Sequence, residues 1–364
     1  MRILIAGGGT GGHVIPALAI ARELRDAHGA EVRFVGTARG LETRLVPEAG
    51  FALELVRSGQ LKNVSLRTRV RTAVDLPLGV VECVRLIGEF RPQVVVGVGG
   101  YASGPGMLAA ILKRVPTLAF EPNAVPGMTN RWLGRWVSAA AVNFAQTARY
   151  FRNARVTGIP VRGEFFQIAP KTAGGLRLLV FGGSQGARVL NEAMPQIAGR
   201  LLERFPGLEI VHQAGGRHER ETASKFAAAG LTGEGAERMQ ALGVRVQAYL
   251  DDMPAEFAAA DLMLCRSGAS TVAELAAAGR ASLLVPFAAA ADDHQRRNAE
   301  AMVEAGAARM LMEAEFAPER LLEELVGLLG DREGLRGMGE QARGMARPDA
   351  VREIAGMIEA VGSG

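Results

Sequence analysis

At 364 residues the chain has room for two domains, and 48% apolar with 22% charged residues is the balance of a globular protein, not of a disordered or fibrous one. A formal net charge of +4, with the arginines scattered, leaves no basic tail that would point to nucleic acid. Two cysteines, Cys83 and Cys265, cannot build a disulfide framework and suit a reducing compartment. The first element is an apolar strand, Ile3–Ala6. It runs into Gly7-Gly-Gly-Thr-Gly-Gly-His13, which reads as a tight turn, and then into a helical pattern over Val14–Leu24. With a strand pattern at the very start, no secretory leader is expected. Further strand patterns lie at Val32–Val35, Leu53–Val56, Val94–Val98, Thr117–Phe120 and Ala140–Asn143. The uncharged stretch Pro92–Leu112 is broken by six Gly and Pro residues and reads as strand, loop and helix, not as a membrane span. A domain join is expected near Gly158-Ile-Pro-Val-Arg162, dividing 1–160 from 161–346, with Ala169–Gly175 as a loop.

The opening pattern then repeats. Leu176–Phe181 is a strand, Gly182-Gly-Ser-Gln-Gly186 a loop, and Ala187–Phe205 a helical run. Later strand patterns fall at Glu209–His212, Val244–Gln247, Leu262–Cys265, Ser282–Val285 and Arg309–Met312, and helices close the chain over Pro318–Leu329, Leu335–Ala346 and Ala350–Ala360. Short apolar strands alternating with helices predict an α/β protein with parallel, doubly wound sheets. Ligands in such folds sit beyond the carboxyl ends of the strands, so a cleft between the domains is the expected site.

Gly7-x-Gly9-x-x-Gly12 matches the dinucleotide fingerprint, yet about 20 residues on, where an acid should hold a ribose, stands Phe34-Val-Gly-Thr-Ala38. His13 also occupies the place where a phosphate-binding Walker loop needs Lys. Either the glycines pack helix on strand, or the loop and the helix behind it receive an anion. His13, at the helix start, suits general-base work near neutrality, or else caps the helix. Gly99-Gly-Tyr-Ala-Ser-Gly-Pro105 brings backbone donors and the Tyr101 hydroxyl to the same rim, and Glu121-Pro-Asn123 brings an amide; turn chemistry is the plainer reading of both. Ser184, Gln185 and the helix behind them are the sharper phosphate candidate, with Arg162 either assisting or solvated. In Arg266-Ser-Gly-Ala-Ser270-Thr-Val-Ala-Glu274, Thr271 and Glu274 have capping-box spacing, so Glu274 either ties down the helix or accepts a ribose diol. His294 and Gln295 could reach sugar hydroxyls. The pairs Asp251-Asp252 and Asp292-Asp293 read as helix caps, and with no His or Cys cluster neither metal nor cofactor is expected. Arg67, Arg69 and Arg71 before Leu76-Pro-Leu-Gly-Val-Val81 are either a membrane-facing stretch or an ordinary helix with solvated arginines.

As an ordered set, Gly7–His13, Gly99–Pro105, Gly182–Ala187, Asp251-Asp-Met253, Cys265-Arg-Ser-Gly268 and Thr271-Val-Ala-Glu274 resemble the MurG family of transferases over essentially the whole chain. The resemblance implies a GT-B fold: two Rossmann-like domains with parallel sheets facing across a cleft, and a last helix, 347–364, returning to the first domain. It implies an inverting hexosyltransferase that moves N-acetylglucosamine from UDP-GlcNAc to the C4 hydroxyl of the muramyl sugar of lipid I, the undecaprenyl-linked muramyl-pentapeptide, giving lipid II for peptidoglycan. The donor would bind the second domain, and the acceptor and the cytoplasmic face of the cell membrane the first, within a cell-wall synthesis complex and without nucleic acid.

By the same resemblance Glu274 would hold the ribose, Ser184 and Gln185 the pyrophosphate with help from Arg162, and the backbone near Tyr249 and Leu250 the uracil. Asn123, Ala269 and Gln295 would contact the sugar, with Thr10, Gly11, Gly12 and Ser270 in the donor-binding set. His13 would be the catalytic residue on the acceptor side, beside Tyr101. The chain departs from the family at Pro122, where Gln is common, and at His294, where some members have Gln. A UDP-N-acetylglucosamine 2-epimerase of the same fold is the alternative, and would convert the donor alone. A non-catalytic nucleotide-sugar binder is another, and would need no acceptor base.

Overall fold

A computed structural model describes every residue except 39, 59–65, 172–173, 184, 232–242, 289, 291–292 and 364, and residues 66–74 as backbone only. The chain divides into two units, Met1–Pro160 with Arg347–Gly364, and Val161–Ala346. In unit 1 the strands are β1 (Arg2–Gly7), β2 (Glu31–Gly36), β3 (Ala52–Leu55), β4 (Val94–Gly99), β5 (Thr117–Glu121), β6 (Ala139–Val142) and β7 (Ala154–Val156). They form one sheet in the order β3-β2-β1-β4-β5-β6-β7. Every pairing is parallel, for example Ile5 with Phe34 on one side and with Val96 on the other. Helices α1 (Gly11–Asp26), α2 (Glu42–Glu48), α3 (Leu66–Phe90), α4 (Ser103–Leu112) and α5 (Met128–Leu133) connect them.

Two sequence expectations need correction here. Gly11, Gly12 and His13 are the first turn of α1, not part of the turn before it. A helix's first turn needs no intrahelical partners for its N–H groups, so glycine is tolerated there. Strand β7 was not expected: three residues at a sheet edge are too short to show an alternating pattern.

Unit 2 repeats the architecture with β8 (Arg177–Phe181), β9 (Glu209–Gln213), β10 (Val244–Gln247), β11 (Leu262–Cys265), β12 (Ala281–Leu284) and β13 (Arg309–Met310), all parallel, in the order β10-β9-β8-β11-β12-β13. Its helices are α6 (Gly163–Phe166), α7 (Arg188–Arg204), α8 (Glu219–Ala228), α9 (Met253–Ala259), α10 (Ala269–Ala278), α11 (His294–Glu304), α12 (Pro318–Gly330) and α13 (Arg332–Gly344). The last helix, α14 (Ala350–Ser363), belongs to unit 1, where it packs on α1 and buries Ile354, Ala355 and Ile358. Each unit has its own apolar core, one built around Leu4, Val95 and Ala119 and the other around Leu178, Leu264 and Leu283.

The strand order fixes where ligands can bind. Strand β1 is flanked by β2 and β4, so successive connections leave it in opposite directions, and β8 has the same place between β9 and β11. A crevice opens at such a switch point, beyond the carboxyl ends of the strands. The glycine loops after β1, β4 and β8, and the Arg266–Gly268 turn after β11, lie at those ends.

Strand β9 ends in a buried polar pair. His212 Nε2 lies 2.9 Å from Asn191 Oδ1, while Asn191 Nδ2 donates to the Ala214 carbonyl at 2.9 Å. An amide oxygen only accepts, so Nε2 carries the hydrogen. Burial pushes the His212 pKa down to about 3. The unfolded chain therefore takes up a proton that the folded one refuses, and this contribution is complete above the ordinary value of 6.5 and lost as pH falls. Between pH 7 and pH 5 the loss from this group should be about 2 kcal/mol. Urea unfolding at the two pH values should show that much less pH dependence in His212→Gln than in the parent; equal dependence would refute it.

Candidate active site

In unit 1 the loops after β1 and β4 touch backbone to backbone. Gly8 N–H donates to the Gly99 carbonyl at 3.2 Å. Gly100 has φ +80°, and a Cβ there would stand 2.0 Å from the Gly8 oxygen, so no other residue fits. His13 is the third residue of α1, and its ring lies against Gly99, where an added Cβ would come within 2.7 Å of Cδ2. Thr10 is the N-cap residue, but its side chain does not cap; its hydroxyl lies 3.3 Å from His13 Nδ1. When Nδ1 carries the hydrogen and donates to that hydroxyl, Nε2 presents the lone pair that a general base needs. Tyr101 is exposed, and its carbonyl is held by the Ser58 hydroxyl at 2.6 Å.

Asn123 stands at the end of β5 in a network centred on Glu121. This buried carboxylate accepts from Asn123 N–H, Asn123 Nδ2, Gly127 N–H and Asn130 Nδ2 at 2.9–3.1 Å. Burial pushes its pKa up and the four donors oppose the push. Every partner is a donor, which is what an ionised carboxylate needs. The Asn123 amide is thus oriented by Glu121, a partner that sequence reasoning did not single out.

In unit 2 the loop after β8 is fastened by Gln213, a buried residue also missed. Its Nε2 donates to the Gly183 carbonyl at 2.8 Å and its Oε1 accepts from Leu250 N–H at 3.3 Å. One side chain therefore ties the glycine loop to the strand end where Tyr249 and Leu250 stand. Gln185 is exposed beside the start of α7, and Ser184 lies outside the described residues.

Helix α10 begins at Ala269 with Gly268 as its N-cap and no side-chain cap. That corrects the capping-box alternative: Thr271 already lies inside the helix and Glu274 in its second turn. Ala269 and Ser270 open the first turn, whose unpaired N–H groups suit a polar ligand. Desolvation raises the pKa of the half-buried Glu274 carboxyl to about 7, against the opposing pull of the Arg162 guanidinium. Arg162 stands at the N-cap position of α6 without a side-chain cap bond, and its guanidinium carbon lies 5.1 Å from the Phe165 ring centroid.

The neighbouring turns are locked together. Arg266 donates to the Val285 carbonyl at 3.0 Å and to Glu313 at 2.5 Å, and Glu313 also accepts from Ala288 N–H at 2.8 Å. The Ser267 hydroxyl donates to the Gln295 carbonyl at 2.8 Å, and Gln295 Oε1 accepts from Phe287 N–H at 3.0 Å. Gln295 is therefore oriented with its oxygen engaged, so its amide NH₂ is the part suited to a ligand. Asp252 caps α9 as expected, accepting from Ala255 N–H at 3.0 Å. Asp293 does not cap α11 with its side chain, because it sits in the left-handed region at φ 59°. Asp292 lies outside the described residues. Among those described, no group of His, Cys, Asp or Glu could hold a metal ion.

The expected residues thus fall into two sets. Thr10, Gly11, Gly12, His13, Tyr101 and Asn123 lie at strand ends of unit 1; Arg162, Gln185, Leu250, Ala269, Ser270, Glu274 and Gln295 lie in unit 2. A desolvated carboxylate, a guanidinium and a glycine loop before a long helix are the groups a nucleoside diphosphate would use.

Comparison with known proteins places this geometry. The N-terminal domain of glycosyltransferase family 28 matches residues 3–142, and the C-terminal domain of that family matches residues 177–354. A UDP-N-acetylglucosamine–N-acetylmuramyl-(pentapeptide) pyrophosphoryl-undecaprenol N-acetylglucosamine transferase of Solibacter usitatus is 46% identical over 361 residues, 98% of this chain and 95% of its own. The crystal structure of Acinetobacter baumannii MurG aligns with a TM-score of 0.83 at 30% identity, covering 99% of both chains. A UDP-GlcNAc 2-epimerase from Neisseria meningitidis aligns with a TM-score of 0.66 but 12% identity over 99% of this chain and 100% of its own, a likeness of fold alone.

The raised Glu274 pKa has a consequence for stability. The folded state holds that proton more tightly than the unfolded chain, so the contribution is present below about 4.5 and lost as pH rises through about 7. Its sign is opposite to that of His212. Glu274→Gln carries no charge and should be about 1–3 kcal/mol more stable than the parent at pH 8, with the gap closing toward pH 4.5. Calorimetric melting at both pH values measures it, and a variant less stable at pH 8 would refute the desolvation.

Proposed function

The chain belongs to the MurG family within glycosyltransferase family 28, and from that membership we propose how its residues transfer N-acetylglucosamine from UDP-GlcNAc to the lipid-linked muramyl acceptor. Unit 2 holds the donor. Glu274 accepts the ribose hydroxyls, the N-terminus of α7 with Ser184 and Gln185 faces the diphosphate, and Arg162 adds a cation there. The backbone at Leu250 lies beside the uracil, while Asn123, Ala269, Ser270 and Gln295 serve the sugar and Thr10, Gly11 and Gly12 complete the donor-binding set. The observation that carries this reading is Glu274, a carboxylate kept desolvated beside an arginine at the strand ends of unit 2. A ribose diol would supply the two hydrogen bonds it lacks.

The chemistry follows. The C4 hydroxyl of the muramyl sugar attacks the anomeric carbon from the face opposite UDP. The new C–O bond forms as the bond to the diphosphate breaks, its electron pair leaves with UDP, and the configuration inverts. The hydroxyl proton passes to His13 Nε2. Charge building on UDP is met by the dipole of α7 and by the Ser184 hydroxyl, since donors aimed at developing charge stabilise the transition state. Tyr101 stands on the acceptor side.

The acceptor's lipid tail keeps it in a bilayer, so unit 1 has to work at that surface, on the cytoplasmic face of the membrane and beside other wall-building enzymes. Among the described residues no helix is long and apolar enough to cross a membrane. Trp132 and Trp136 are 68% and 63% exposed, with Arg131 and Arg135 interleaved. On α3, Leu78 and Val81 are exposed, and so is Leu112 at the end of α4, which packs on both α3 and α5. Exposed tryptophans among arginines suit an anionic headgroup layer. The arginine side chains at 67, 69 and 71 lie outside the described residues.

Turnover of UDP-GlcNAc with a lipid-linked muramyl acceptor tests the whole reading, and UDP-N-acetylmannosamine from donor alone would replace it with an epimerase. Ser184→Ala should lower kcat about 10²–10³-fold with little change in UDP affinity, and Glu274→Ala should chiefly raise the Kd for UDP. Negligible effects from both would overturn the donor assignments. For the surface, Trp132→Ser with Trp136→Ser should abolish sedimentation with anionic vesicles while sparing turnover of a detergent-dispersed acceptor; unchanged sedimentation sinks that assignment.

A further inference from the structure

Glu42 opens α2, yet its carboxylate is 1% exposed and reaches back to the ends of two strands. Its Oε2 accepts from Gly9 N–H at 2.6 Å, and its Oε1 accepts from Thr37 N–H at 2.9 Å and from the Thr37 hydroxyl at 3.1 Å. Leu41 N–H in turn donates to the Gly9 carbonyl at 3.1 Å, so the turn into α2 holds both faces of Gly9. The carboxyl group also fills the space beside three glycines. A Cβ on Gly8, Gly36 or Gly40 would come within 2.3, 2.5 and 1.8 Å of Glu42 atoms.

Burying a carboxylate is expensive unless donors surround it, and an apolar side chain would fill the same space more cheaply. What the carboxylate adds is a charge-assisted grip on a peptide that has no side chain of its own. Gly9 has φ +94° and is followed at once by Thr10 and the first turn of α1, which carries His13. Gly8, on its other side, is bonded to Gly99, against which the imidazole lies. A displaced Gly9 peptide would therefore displace both the ring and the surface it rests on.

We propose that Glu42 is a positioning residue for the acceptor-side chemistry, clamping the first glycine loop so that His13 and the first turn of α1 stand where the reaction needs them. This rests on the reading of His13 given above. Glu42→Gln keeps the shape but turns an NH₂ toward N–H donors, so at least one of the three bonds is lost. In the full-length enzyme it should lower kcat about 10–100-fold, since small misplacements of reacting groups have effects of that size. The Kd for UDP should stay within about twofold, because the groups assigned above to the ribose, the diphosphate and the uracil all belong to unit 2. In a His13→Gln background the same change should slow residual turnover by less than about twofold, because the group it positions is already gone.

Full turnover in Glu42→Gln, or equal slowing in both backgrounds, would overturn the role of Glu42. Unchanged turnover in His13→Gln alone would instead sink the reading of His13. If Glu42→Gln does not fold, Thr37→Val removes one bond and is read the same way: a few-fold loss of kcat with unchanged UDP affinity supports the clamp, and parental kcat overturns it.

Discussion

In both units, neighbouring strand ends are drawn so close together that no side chain fits between them. Gly100 lies over the Gly8 carbonyl, Gly186 over the Ala214 carbonyl, and Gly215 over that of Gln185, with added Cβ atoms falling at 2.0, 1.9 and 2.3 Å. The packing concentrates backbone donors and helix starts at the two switch points, where bulkier residues would hold the loops apart. Histidine, glutamine and glutamate side chains then act from the rims of those contacts.

The buried carboxylates divide by what surrounds them. Glu42 and Glu121 are encircled by N–H and O–H donors and hold loops in place. Glu274 is different: it is desolvated, accepts no hydrogen bond among the described residues, and has only the Arg162 charge to favour its ionised form. An acid ringed by donors is satisfied within the protein, whereas a desolvated acid without them keeps its hydrogen-bonding capacity for a ligand, the role proposed above for Glu274. The same contrast separates Gln213, whose amide is used at both ends, from Gln295, whose oxygen alone is engaged among the described residues.

Much of the fold was legible because its signals are local. An apolar run, a glycine cluster and a helical period adjoin one another at β1–α1 and again at β8–α7, and strand ends were placed within a residue or two. Strand β7 carried too little pattern. The spacing of Thr271 and Glu274 misled because it fits a cap as well as a helix interior, and the actual start, Gly268, offers no side chain to decide between them. The residues that hold the site were hidden for another reason. Glu42 meets Gly9 across 33 positions, and Arg266 meets Glu313 across 47, distances over which no pattern is visible. Weaker hints existed: Gly36 and Gly40 bracket the Glu42 carboxylate, Gln213 ends an apolar strand with an amide, and Trp132 and Trp136 recur four apart among arginines.

Unit 1 is made of two separate stretches of chain, with all of unit 2 between them. The helix that completes it lies on α1, where Glu359 pairs with His28 at 2.9 Å and Gly362 rests against Met1 and Val94. On the ribosome, the face of α1 that receives this helix stays uncovered until unit 2 has been synthesised. The helix bearing His13 therefore waits for a packing partner that lies on the far side of a whole second unit, and unit 1 cannot finish folding before unit 2 has been made.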